Sequence, residues 1–240
     1  MKQTFTKVSA LSASVLLTLS IASAQTPVTV NNFSFEQDVT GNATTTAPTG
    51  WTAFYDGQPN NFIGSQLTTS AQYLNSPPIA TPGDGSQFLY INDNAGTATD
   101  GIYQDVGTLL ADTTYTLTVA IGSRADWSPG PNGQGTISLL NGNDQTGTLL
   151  ASTTSDVVSQ TGTFSDFTIT YTTAGSVSGD LIVDLSVVGN PSAFSQGNFD
   201  NVRLEASAVP EPGTLALVGG GLALLPVLRR RSFGPKHLGR

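Results

Sequence analysis

Cysteine is absent from the 240-residue chain, and its one histidine, His237, lies beyond a C-terminal arginine cluster. The central stretch from Gln25 to Ser207 has neither residue, and no lysine. Those absences exclude disulfides, cysteine nucleophiles, Ser-His-Asp triads, Schiff-base lysines and histidine-ligated zinc from that stretch. Basic charge is nearly missing there too. Arg124 and Arg203 stand against sixteen acidic side chains, a net charge of −14 in a chain whose total is −8. A surface of that sign repels phosphate backbones, so nucleic acid is excluded as a partner, while oxygen-ligated divalent cations stay open. Long helical periodicity is lacking, and no Gly-x-Ser-x-Gly nucleophile elbow occurs.

What is present is most legible at the two ends. Met1–Ala24 carries Lys2 and Lys7, an apolar stretch Val8–Ile21, and the small residues Ala22-Ser23-Ala24. That order is a secretory signal peptide removed by signal peptidase, with an uncleaved anchor as the alternative. At the other end, Val209-Pro210-Glu211-Pro212-Gly213 precedes an uncharged apolar run, Thr214–Leu228, and then Arg229, Arg230 and Arg231. The run is short for a bilayer span, which usually takes roughly 20 apolar residues. The arginines would stay cytoplasmic and leave the body outside; a buried core helix is the alternative. This arrangement resembles the PEP-CTERM protein-sorting signal of Gram-negative bacteria. The resemblance implies processing by an exosortase-type transpeptidase near Pro210–Pro212 and delivery to the envelope or extracellular matrix, with a transient inner-membrane anchor. Ser232–Arg240 departs from it, since such signals stop close to the arginines. The chain therefore divides into a signal segment (residues 1–24), a body (25–208) and a sorting segment (209–240) with a hydrophobic helix over 213–228 and a basic tail.

The body alternates with period two. Tyr115, Leu117, Val119 and Ile121 fall on one face with threonines opposite; Phe167, Ile169 and Tyr171 repeat the pattern. Leu181, Val183, Leu185 and Val187 form another face, with Asp184 and Ser186 pointing away, and Val202 and Leu204 alternate with Arg203 and Glu205. Phe88–Ile91 and Ile137–Leu140 are apolar almost throughout, as strands buried on both sides are. Asn141-Gly142-Asn143-Asp144 is a hairpin-type turn. These features predict an all-β, antiparallel β-sandwich in one domain. Thr40–Thr49 and Ser123–Gly135 read as loops.

Asn32-Phe33-Ser34-Phe35-Glu36, Gly50-Trp51, Asp84-Gly85-Ser86, Thr113–Leu117 and Phe199-Asp200-Asn201-Val202 occur in the order and spacing of a known family. They resemble the galactose-binding-like jelly-roll family of carbohydrate-binding modules. The resemblance implies a calcium ion pinning the first and last strands, held here by Glu36 and Asp200, with backbone carbonyls completing the shell. Solvated strand-end acids are the alternative. The same motifs and the sorting tail also look like the bacterial Stig cyclases, which rearrange prenylated indoles on a calcium-containing sandwich and use an aspartate as proton donor; Asp200 is the candidate here.

For ligand contact the sequence offers Trp127, in a Gly/Pro-rich loop beside Arg124 and Asp126. An aromatic face suits a sugar ring, and the flanking charges can hydrogen-bond hydroxyls; a loop anchor folded onto the sandwich is the other reading. Tyr55, Asp56 and Tyr103 are candidates for the same rim, with packing or plain exposure as the other reading for each, and Trp51 is placed in the core. Asp93, Asn94, Asp100 and Asp105 read as a solvated acidic loop, lacking the closing glutamate of an EF-hand, with a weak second cation site as the alternative. The resulting expectation is an exported, non-catalytic, calcium-stabilised module that binds extracellular polysaccharide or serves structurally. An enzyme on the same sandwich, a cyclase or glycan hydrolase, is the alternative.

Overall fold

Alternating side chains on short extended segments can bury only one face each, so the segments pair edge to edge and the sheets stack. The computed structural model describes residues 24–38, 42–58, 60–94, 99–126, 134–155, 161–188 and 194–210. Among the described residues there are eleven strands: β1 (Thr26–Val28), β2 (Thr52–Phe54), β3 (Phe62–Leu67), β4 (Gln87–Asn94), β5 (Thr99–Thr108) and β6 (Thr113–Ser123), then β7 (Gln134–Gly142), β8 (Thr148–Thr154), β9 (Thr163–Thr172), β10 (Asp180–Val188) and β11 (Phe194–Ala208). One sheet runs β3-β4-β11-β6-β9, with β1 paired to β11; the other runs β2-β5-β10-β7-β8. Every pairing is antiparallel. The chain is thus an all-β antiparallel sandwich. No helix among the described residues is long and apolar enough to cross a membrane. The signal segment to Ser23 and the predicted hydrophobic helix over 213–228 lie outside the described residues.

The predicted faces form the core. Leu117, Val119, Ile121 and Phe199 of the first sheet meet Ile137, Leu139, Leu181, Val183, Leu185 and Val187 of the second. Part of the outer face of the first sheet, around Phe88, Tyr90, Ala120 and Phe164, is buried as well, beneath the segment from Thr69 to Pro82. Tyr73 stacks on Phe164 at 4.4 Å and meets Phe88 edge-on at 5.3 Å. Ile79, Tyr90 and Ala120 complete this second cluster. That roof is why Phe88–Ile91 is apolar on both sides. Gly122 makes room for it: a Cβ there would lie 2.4 Å from the Tyr73 hydroxyl oxygen.

Asp184 and Ser186 point away from the intersheet core, as expected, yet they are only 6% and 4% exposed. Two expectations change. Asp93 and Asp100 are not on a solvated loop. They lie on β4 and β5, in line with Ile91 and Ile102, and both are fully buried. The predicted loop Ser123–Gly135 is also shorter than expected, since Ser123 ends β6 and Gln134 and Gly135 open β7.

Gly64 on β3 offers a direct check of how tightly the neighbouring loop packs. A Cβ there would sit 2.2 Å from the Thr44 carbonyl oxygen, backbone that cannot swing aside. Gly64→Ala should cost roughly 1–3 kcal/mol in urea unfolding, as overpacking does; an unchanged midpoint would show that the 42–46 loop yields freely.

Candidate functional site

The turn from Pro82 to Gln87 is where the opening and closing motifs meet. Left-handed backbone at Phe35 (φ 58°) and Asn201 (φ 45°) bends both motifs sharply, and a bulge interrupts β11 after Asp200. Phe35 is fully buried against Trp51, ring centroids 5.8 Å apart, which anchors the first bend. Trp51 is thus core, as expected. Glu36 then reaches the turn, where its Oε1 accepts the backbone N–H groups of Ser86 at 2.7 Å and Gln87 at 2.6 Å. Asp200 reaches it from the other side. Its Oδ2 accepts the Asp84 N–H at 2.8 Å and its Oδ1 the Asn201 N–H at 2.7 Å, while Asn201 Nδ2 donates to the Pro82 carbonyl at 2.7 Å. The two predicted metal ligands therefore clamp one turn.

The electrostatics of this clamp are unfavourable to three anions. Asp200 is fully buried, and that burial pushes its carboxyl up to about 8; the Asp84 and Asn201 amides pull down, and the Asp84 and Glu36 charges push further up. Gln87 Oε1 is buried without a hydrogen-bond partner. An oxygen-only donor set with surplus negative charge and an orphaned amide oxygen is what a hard cation takes. Among the described residues no group of three or more Asp, Glu or His side chains is gathered to hold an ion by itself. Any ion here would draw on two carboxylates and backbone carbonyls.

A second polar cluster lies at the edge formed by β2, β3 and the ends of β4 and β5. Asp56 N–H donates to Asp100 Oδ1 at 2.6 Å, and Asn61 Nδ2 donates to Asp56 Oδ1 at 2.9 Å. Burial pushes Asp100 up to about 6; the Asp56 amide opposes it, and the Asp93 and Asp56 charges reinforce it. Asp100 Oδ2 is buried with no partner. Two aromatic residues next to these groups in sequence stay open, Tyr55 beside Asp56 at 47% and Phe62 beside Asn61 at 42% exposure. The Tyr55 phenol is raised by burial and by Asp100.

Arg124 and Asp126 hold each other in a two-bond ion pair at 2.9 and 3.0 Å, which lowers the Asp126 carboxyl. Arg124 Nη1 also donates to Gln196 Oε1, and Gln196 Nε2 to Asn92 Oδ1, leading across β11 and β4 to Asn92, the cross-strand partner of Phe62. Trp127 lies outside the described residues. Tyr103 pairs across the second sheet with Thr52 and Asp184. Asn61 and Phe62 went unread as site residues, whereas Glu36, Asp200 and the Asp84-Gly85-Ser86 turn, the parts of the first cluster, were all named from the sequence.

Two apolar hollows lie elsewhere. One of about 130 Å³ lies behind Tyr73 and Phe164, and one of about 360 Å³ runs along β1 and β11 beside Phe33. Neither is lined by Asp200.

Comparison with known proteins gives the same architecture. A Stig cyclase from Fischerella sp. TAU, solved with (3Z)-3-(1-methyl-2-pyrrolidinylidene)-3H-indole, is 22% identical over 78% of this chain and 100% of its own, with a TM-score of 0.63. A cyclase from Fischerella sp. TAU, solved with 4-(1H-indol-3-yl)butan-2-one, is 23% identical with the same coverage and a TM-score of 0.62. An arabinose-bound α-L-arabinofuranosidase, MgGH51, is 17% identical over 75% of this chain but 26% of its own, with a TM-score of 0.52. At these identities the likeness is one of fold. No curated protein matches. The PEP-CTERM protein-sorting motif matches residues 208–232, so the chain is exported, directed to the cell envelope and a substrate for exosortase processing. Residues 26–205 match the HpiC1 cyclase model, and the chain belongs to that family.

Proposed function

We propose that the exported sandwich is a non-catalytic, calcium-pinned module that binds neutral glycan at the Tyr55–Phe62 rim. The observation that carries this reading is the pair of open aromatic side chains beside the Asp56–Asn61–Asp100 cluster. Aromatic rings stack on the apolar faces of sugars, and carboxylates and amides bond their hydroxyls. These residues include no cation, and a body charge of −14 disfavours acidic polysaccharides. Calcium would be held by Glu36 and Asp200, with Gln87 Oε1 and carbonyls of the turn as further donors. Its role is to join the first and last strands.

Tyr55→Ala should lower retention on a neutral polysaccharide in affinity electrophoresis by roughly tenfold, the usual order for a central aromatic contact. Its melting temperature should stay put, because the side chain is half exposed. Retention equal to wild type would remove the rim as the site, and Trp127→Ala then tests the competing platform.

One observation favours the enzyme reading instead. Asp200, raised to about 8, would hold a proton at neutral pH, as an acid catalyst must, and the chain's family is named for a cyclase. Against it, Asp200 is fully enclosed and both its oxygens accept backbone N–H bonds. Saturable quenching of tryptophan fluorescence by 4-(1H-indol-3-yl)butan-2-one, lost in Asp200→Asn, would favour catalysis over glycan binding.

A further inference from the structure

The sorting motif starts where the last strand stops. β11 ends at Ala208, paired with Thr113, and the next residue, Val209, donates its backbone N–H to the Asp112 carbonyl at 2.7 Å. No linker separates the folded body from Val209-Pro210-Glu211-Pro212. Four residues reach at most roughly 14 Å. Any enzyme that cleaves within the motif must therefore come against the body surface around Leu110–Asp112.

That surface is built to hold one apolar side chain outward. The Leu110 N–H donates to the buried Tyr115 hydroxyl at 2.8 Å, and its carbonyl accepts from Thr173 Oγ1 at 2.7 Å. Asp112 takes a left-handed backbone (φ 47°) and donates its N–H to Ala174. Both polar backbone groups of Leu110 are thus fixed from inside the sandwich, while its side chain is 59% exposed; Val209, bonded to Asp112 two residues further on, is 39% exposed.

We propose that the Leu110–Asp112 turn, with Val209, is a docking surface for the membrane-embedded transpeptidase that processes the sorting motif. The enzyme reads the motif together with the edge of the folded body, so folding of the sandwich is part of substrate recognition. The test uses the full chain in a cell that makes the transpeptidase, following conversion to the trimmed form by mass. Leu110→Glu should slow trimming roughly tenfold, the loss of one buried leucine contact, with the melting temperature of the exported chain unchanged. Inserting about ten Gly/Ser residues between Ala208 and Val209 frees the motif from the body, and trimming should then be indifferent to Leu110→Glu. Wild-type trimming of Leu110→Glu at native spacing overturns the proposal. So does an equal Leu110→Glu defect with the linker in place, since that defect would act through something other than the shared surface.

Discussion

Calcium added to chelator-treated protein should raise its melting temperature by roughly 5–10 °C. The figure follows from an ion at about a hundred times its dissociation constant, worth about 2.7 kcal/mol, and from a melting-temperature change of about 2–4 °C per kcal/mol for a chain of this size. The physical cause is local. Glu36, Asp84 and Asp200 surround one turn, and Asp200 is fully buried and raised to about 8. An ion between them turns mutual repulsion into coordination. Glu36→Gln should reduce the gain, and Asp200→Asn should abolish it, because the buried carboxylate is the ligand that solvent cannot replace. Magnesium should do less, since it demands tight octahedral geometry and keeps its waters. Equal melting in chelator and in calcium would end the metal assignment, and Glu36 and Asp200 would then be turn clamps through their four N–H bonds alone.

Much of the fold was legible because alternation reports one buried face. Leu181, Val183, Leu185 and Val187 could be placed without any knowledge of their partners. The same rule is silent on what lies opposite: Asp184 and Ser186 point away from the intersheet core as the alternation says, yet both are buried. The roof from Thr69 to Pro82 has no periodicity, so its presence showed only in the doubly apolar Phe88–Ile91, and its Tyr73–Phe164 stack did not show at all. Asp93 and Asp100 failed for a related reason. Acids around glycines read as a loop, whereas burial here is imposed by the strands that carry them. The meeting of Glu36 with Asp200 came from family resemblance, not from spacing, because the turn that joins them is distant from both in sequence. Tyr55 and Asp56 could be named but not their link to Asp100, which runs through an Asp56 N–H bond that only the β2–β5 pairing brings about.

Asp184→Asn should make the protein more stable above pH 7 and flatten its loss of stability between pH 4 and pH 7. Asp184 sits on the central strand of the second sheet, in register with Tyr103 and Ser138. Burial pushes its carboxyl up to about 7, and a hydrogen bond from Ser186 only partly opposes this. An unfolded aspartate titrates near ~3.9. The folded state therefore binds the proton more tightly than the unfolded state does. Its stabilising contribution is complete below about pH 4 and disappears as pH rises through 7. Asparagine keeps the shape and can still bond Ser186, but never has to ionise. The gap between the unfolded and folded values sets a ceiling of ~4 kcal/mol, and relaxation around the charge halves it to about 2 kcal/mol at pH 8. Urea midpoints of wild type and variant should coincide near pH 4 and separate steadily toward pH 8. Asp100 and Asp200 titrate in both proteins, so their contributions cancel in the difference. Parallel curves would mean that Asp184 ionises in the folded sheet without cost, as a solvated strand residue does.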